Sequence, residues 1–141
     1  MINYMYFDAI SKKIRLRETA SSNSFWLEAL QMLLKPSKAK RAVEMFGASY
    51  ITDVQKMMKE QYIGHGLLYT YVSHNIFVIY ASDPDFANSR LLIKGLLKDH
   101  ERVGSVIIVG NNADQVQSLP KIVEDYYINK AKDNLIKFGW P

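Results

Sequence analysis

The sequence predicts a single domain over residues 1–141 of the α+β (or α/β) class, a central mixed β-sheet with a β-hairpin and a β-α-β crossover, flanked by about five helices. Three observations predict it. Leu67-Leu68-Tyr69-Thr70-Tyr71-Val72 and Ile76-Phe77-Val78-Ile79-Tyr80 are rich in β-branched and aromatic residues, and Ser73-His74-Asn75 between them suits a tight turn. Asp83-Pro84 is a helix start signal, Leu92, Ile93, Leu96 and Leu97 supply an apolar face, and Gly104 is a stop, which together predict a helix from Pro84 to about Arg102. Ser105-Val106-Ile107-Ile108-Val109 is a short apolar run of the kind that fills a buried strand. If strands 76–80 and 105–109 run parallel in one sheet, the helix between them is a right-handed crossover.

The remaining elements follow from local patterns. Met1 to Phe7 and Lys12 to Arg17 read as two strands joined at Asp8-Ala9-Ile10-Ser11, with Lys13, Arg15 and Arg17 on one face and Ile14 and Leu16 on the other. Ser21-Ser22-Asn23-Ser24 offers N-caps for a helix that reaches about Lys35, striped by Trp26, Leu30, Leu33 and Leu34 and stopped by Pro36. A second helix places Ala39, Ala42, Val43 and Phe46 on one face and ends at Gly47. Thr52 and Gln55 form a capping-box pair for a third, with Val54, Met57 and Met58 inward. Gly110-Asn111-Asn112 turns the chain after the last strand. A final helix from about Pro120 to Phe138 buries Val123, Tyr127, Ala131 and Leu135, and Gly139 ends it.

Charge is local. Net charge is +4 over 141 residues, yet residues 11–41 alone carry +6 through Lys12, Lys13, Arg15, Arg17, Lys35, Lys38, Lys40 and Arg41 against Glu18 and Glu28. Such a block is either a solvated face that guards a sheet edge or a surface for an acidic partner. Lys38, Lys40 and Arg41 sit early in the second helix, where the macrodipole favours acids, so they either serve a partner or are tolerated at a cost of about a few tenths of a kcal/mol. The chain has no cysteine, which excludes a disulfide scaffold, a thiolate zinc site and thiol nucleophiles. An apolar leader and an apolar run of about 18 residues are both lacking, so a cytoplasmic protein that does not engage a membrane is expected.

Catalytic motifs are scarce. His65, His74 and His100 are not spaced for zinc, and no metal site is expected. There is no Gly-x-Ser-x-Gly elbow, P-loop or Gly-x-Gly-x-x-Gly. Asp83 and Asp85 fall near Asn111, Asn112 and Asp114 in the predicted sheet, either as caps and turn residues or as a Mg²⁺-dependent site. Tyr69, Tyr71 and Tyr80 are strand formers that could also stack on bases.

The order of elements resembles the GNAT N-acetyltransferases. Ile14-Arg15-Leu16-Arg17-Glu18, followed by the Ser/Asn-rich cap and a helix, resembles that family's opening strand and helix. Ile79-Tyr80-Ala81-Ser82-Asp83-Pro84-Asp85-Phe86 resembles the end of its central strand. Leu91-Leu92-Ile93-Lys94-Gly95-Leu96-Leu97 and Val106-Ile107-Ile108-Val109 follow in family order, and Ala131, Leu135, Gly139 and Trp140 fall at the spacing of its late element. The resemblance implies an acyl-CoA-dependent N-acyltransferase using acetyl-CoA, with Phe86, Asn88, Ser89 and Arg90 at the pyrophosphate and Tyr126 or Tyr127 as acid. The chain departs from the family where Ala87-Asn88-Ser89-Arg90 lacks glycine, where Leu135 replaces the tyrosine, and where about twenty extra residues follow Asn112.

The function expected first is therefore a small non-catalytic binding or assembly protein. Its local basic surface (Lys12, Lys13, Arg15, Arg17, Lys35, Lys38, Lys40 and Arg41) would meet an acidic protein or nucleic acid, without a cofactor. The alternative is a degenerate acyltransferase. Self-association or a place in a larger assembly is left open by the sequence.

Overall fold

The first two strands form the edge of the sheet that organises everything else. The structure, a computed structural model, describes residues 1–45, 62–64, 66–73, 75–97, 100–112 and 115–140. Strand β1 (Ile2–Asp8) pairs antiparallel with β2 (Lys13–Thr19) in unbroken register from Ile2↔Thr19 to Asp8↔Lys13. Asp8 shapes the turn between them. Its Oδ1 accepts from the Ile10 backbone N–H at 2.9 Å and its Oδ2 accepts from the Ser11 hydroxyl at 2.7 Å, while Lys12 takes the left-handed conformation at φ 59°. On its inner side β1 pairs with β8 (Val106–Asn112), which pairs in turn with β5 (Ile76–Ala81); β4 (Leu67–Ser73) and β3 (Tyr62–Gly64) complete the order β2-β1-β8-β5-β4-β3. The far end of β8 carries β9 (Gln115–Gln117).

Both faces of this sheet are covered, which is why its central strands are apolar without alternation. Tyr4, Tyr6, Phe77, Ile79, Ile107 and Val109 point into one layer; Met5, Phe7, Ile76, Val78, Val106 and Ile108 point into the other. Helices α1 (Ser22–Leu33) and α2 (Pro36–Met45) cover the first face, with Phe25, Trp26, Ala29, Leu30 and Leu33 inward. Ser21 caps α1 through its hydroxyl, which accepts from the Ser24 backbone N–H. The second face is covered by α3 (Lys121–Lys132) and by a small sheet of β6 (Leu92–Leu97), β7 (His100–Val103) and β10 (Lys137–Gly139), in the order β10-β6-β7.

This architecture overturns the predicted fold class. Every described strand pairing is antiparallel, the described residues contain three helices, and the fold is sheet-dominated rather than a helix-flanked mixed sheet. The β-α-β crossover is absent: β5 and β8 are antiparallel neighbours, Ile76↔Gly110 through Ile79↔Ile107, and the chain between them forms the β6–β7 hairpin. The helix expected around Thr52, with Val54, Gln55, Met57 and Met58, lies outside the described residues, as do Phe46 and Gly47.

The missing central helix has a physical cause. Asp83-Pro84 does start a turn, with backbone bonds Phe86 N–H to Asp83 O and Ala87 N–H to Pro84 O. The next donors are captured by the C-terminus of α1, whose last carbonyls lack partners within the helix. Asn88 N–H donates to Leu33 O at 3.0 Å, Asn88 Nδ2 to Met32 O at 2.7 Å, and Lys35 N–H to Phe86 O at 2.9 Å. Asn88 Oδ1 also accepts from Ser105 N–H at 3.1 Å, so this one amide joins α1, the turn and the entry to β8. Asn88→Asp keeps the acceptor and removes both donor hydrogens, setting a carboxylate against a carbonyl. Urea denaturation should show a loss of about 1–3 kcal/mol at neutral pH.

The last helix is also shorter than expected. It ends at Lys132, Asn134 adopts φ 56° just beyond, and Leu135 is exposed while Ile136 enters the core. Gly139 terminates nothing. It lies in β10, opposite Leu92. Likewise Gly110-Asn111-Asn112 continues β8 rather than turning, since Gly110 lets the returning chain approach: an added Cβ would lie 2.5 Å from Ser118 O.

Candidate functional site

The basic residues divide between two places. Because β2 is the outer strand, Lys13, Arg15 and Arg17 stand opposite Asp8, Tyr6 and Tyr4, on the same side of the sheet as α1. Arg17 is tied inward: its Nε donates to the Tyr4 hydroxyl at 3.2 Å, that hydroxyl donates to Glu28 Oε1 at 2.9 Å, and Arg17 Nη2 lies 3.6 Å from the same carboxylate oxygen. Burial pushes the Tyr4 phenol up to about 12, with the Arg17 hydrogen bond opposing and Glu28 reinforcing the shift. Lys12, Lys13 and Arg15 are exposed, and among the described residues none is held by a carboxylate.

The second group is on α2 and its approach. Lys35 is half-buried and anchors the chain through its backbone, and Lys38 Nζ lies 4.6 Å from the centre of the Phe86 ring. Lys40 and Arg41 are exposed and unpaired among the described residues, and Lys40 borders a shallow apolar groove of about 410 Å³ floored by Pro36, Ala39 and Val43. The helix approach is bonded to Phe86, next to the strands β4 and β5, while β1 and β8 intervene between those strands and β2. The structure therefore presents two basic sites instead of one continuous stripe.

The residues that the acyltransferase resemblance points to are engaged locally. Phe86 lies under Lys38 and against Gly66, Asn88 bridges Met32 and Ser105, and Ser89 Oγ accepts from the Leu91 backbone N–H at 3.1 Å. Arg90 pairs with Asp85 at 2.8 Å in an exposed contact. Asp83 Oδ1 accepts from Asp85 N–H at 2.8 Å, a turn bond. Among the described residues no group of three acidic or histidine side chains could hold a metal ion; His65, His74 and Asp114 lie outside them, and for His100 the strand alone is described. Tyr126 is exposed, whereas Tyr127 is buried, 1% accessible, edge-on to Phe7, and its phenol is pushed up to about 12, chiefly by burial.

The aromatic hairpin is split. Tyr69 is buried in the layer under α1 and the exposed Tyr71 packs edge-on against Phe77 at its margin, while Tyr80 belongs to the opposite layer, where Arg102 covers its ring at 4.3 Å. No single stacking platform results. What the sequence reading missed is the Tyr4–Arg17–Glu28 cluster and the bracing amide of Asn88. A strict hairpin register about the Asp8 turn would have placed Tyr4 against Arg17; the Asn88 contacts are tertiary and had no local signal.

Comparison with known proteins adds no relative: no family model matches the chain, and neither curated proteins nor solved structures give a significant match. No described helix is long and apolar enough to cross a membrane.

Proposed function

We propose that this is a small non-catalytic binding or assembly protein whose basic surface meets an acidic partner, a protein segment or a nucleic acid. One observation carries the reading. Lys12, Lys13, Arg15, Lys40 and Arg41 are exposed and make no ion pair among the described residues, although Asp8 stands opposite Lys13 and Glu44 lines the groove beside Lys40, whereas the acidic Glu28 and Asp85 are already matched by Arg17 and Arg90. Unneutralised cations on a chain whose net charge is only +4 form a local field that attracts an anionic surface.

The test is charge reversal on α2. Lys38→Glu, Lys40→Glu and Arg41→Glu together should weaken binding of a short single-stranded oligonucleotide or of polyglutamate and flatten its salt dependence, by roughly one unit of log–log slope per lost phosphate contact for nucleic acid. Folding should be retained, since acids early in a helix are favoured by the macrodipole. Unchanged affinity and slope for both probes would remove α2 from the surface, and the same result on reversing Lys13 and Arg15 of β2 as well would sink the proposal. Thermal unfolding with acetyl-CoA is the companion measurement: a rise of several degrees with it alone would turn the reading to acyl transfer.

A further inference from the structure

The outer strand β2 is guarded by charge alone. Natural edges are shortened, bulged, interrupted by proline, covered or lined with charged side chains, and β2 has only the last of these, in Lys13, Arg15 and Arg17. β2 is seven residues long, contains no proline, and keeps register with β1 along its whole length. Among the described residues its backbone makes no hydrogen bond beyond the β1 ladder. Leu16, on the face opposite the cations, is 54% exposed. The strand thus offers a free row of main-chain donors and acceptors, a basic face of Lys13 and Arg15 with the end of Arg17, and a second face of Leu16 beside the half-buried Ile14, bounded by the exposed Glu18.

We infer that this edge receives an extended acidic segment of a partner protein as an added strand, with carboxylates at alternate positions over Lys13 and Arg15 and apolar side chains over Leu16. The inference deepens the proposed basic binding surface and rests on it. Strand addition supplies affinity through the main chain and specificity through alternating side chains. A second copy of this chain does not fit. A two-fold axis between antiparallel β2 strands requires residues of the same face to meet, so any register with substantial overlap sets Arg15 or Lys13 against Arg15 or Arg17, and like charges directly opposite are unfavourable. A nucleic-acid strand would satisfy the cations but leave the backbone donors and Leu16 unused.

The probe is a seven-residue peptide of alternating Glu and Val, measured by fluorescence anisotropy, with amide hydrogen exchange on the full-length protein. Binding with slowed exchange of β2 amides is expected. A peptide with the same composition but its glutamates contiguous should bind several-fold more weakly, and so should one N-methylated at alternate residues, which keeps the charge and removes the donors. Lys13→Glu with Arg15→Glu should weaken the alternating peptide roughly tenfold, from two reversed cross-strand pairs. If N-methylation and residue order make no difference while charge reversal still does, strand addition is wrong and the basic surface survives. If only an oligonucleotide binds, and binding is lost on reversing the α2 cations, strand addition is again wrong and the surface stands on α2. If no acidic probe binds at all, both readings fail.

Discussion

Gly95→Ala should abolish or nearly abolish cooperative folding. Gly95 sits within β6 at φ 83°, and a Cβ there would lie 1.7 Å from Leu135 O and 2.9 Å from its carbonyl carbon. Both atoms are backbone, so no side-chain rotation relieves the clash. The chain entering β10 must pull away from β6, opening the Lys137↔Lys94 to Gly139↔Leu92 pairing and the packing of Ile93, Leu96 and Ile136 beneath it. A loss above about 4 kcal/mol is expected, a large share of the roughly 5–15 kcal/mol that holds a domain together. The sign discriminates between architectures. Were residues 84–102 a helix, the same substitution would gain about 1 kcal/mol. Gly139→Ala is the control: nothing lies within 4 Å of its added Cβ, and its urea midpoint should stay within about 0.5 kcal/mol of the parent.

That segment also shows where sequence reasoning reaches its limit. The strands β1, β2, β4, β5 and β8 and the helices α1 and α2 were legible because each has one dominant local signal: alternation in Lys13–Arg17, a capped stripe from Ser21 to Leu33, β-branched runs elsewhere. Leu91, Leu92, Ile93 and Leu96 are all buried although they lie in or just before β6, so their spacing mimics a helical face. Gly95 was the contrary signal, since an interior glycine with a bulged partner marks a bend in a strand. Asp83-Pro84 misled in a second way: the start signal is real, but donors that would have extended a helix bond to α1 instead. The cations could be located by counting, yet their division between β2 and α2 follows from strand order, which only long-range pairing fixes.

High pH should unfold this protein through its buried phenols. Tyr4 and Tyr127 are each raised to about 12, and Tyr6 is raised too, mainly by burial, whereas an unfolded chain ionises its tyrosines near 10. Below about pH 10 both folded and unfolded states hold these protons, and the stabilisation is fully present. Between about 10 and 12 the unfolded chain releases them first, so stability falls as pH rises through that window. Two units of difference correspond to about 3 kcal/mol at each of Tyr4 and Tyr127, enough together to consume much of a domain's stability by pH 12. Ultraviolet titration should therefore show a late, cooperative group of tyrosines whose ionisation coincides with loss of circular dichroism. Tyr127→Phe separates ionisation from packing. Its hydroxyl donates no described hydrogen bond, so the variant should change stability at neutral pH by less than about 1 kcal/mol and move the alkaline midpoint upward. Tyr4→Phe should instead lose about 1.5–3 kcal/mol at neutral pH, because the hydroxyl that joins Arg17 to Glu28 is gone. An alkaline midpoint unmoved by Tyr127→Phe would mean that this phenol titrates alike in both states, and that the face of the sheet beneath α3 is wetter than its packing against Phe7 indicates.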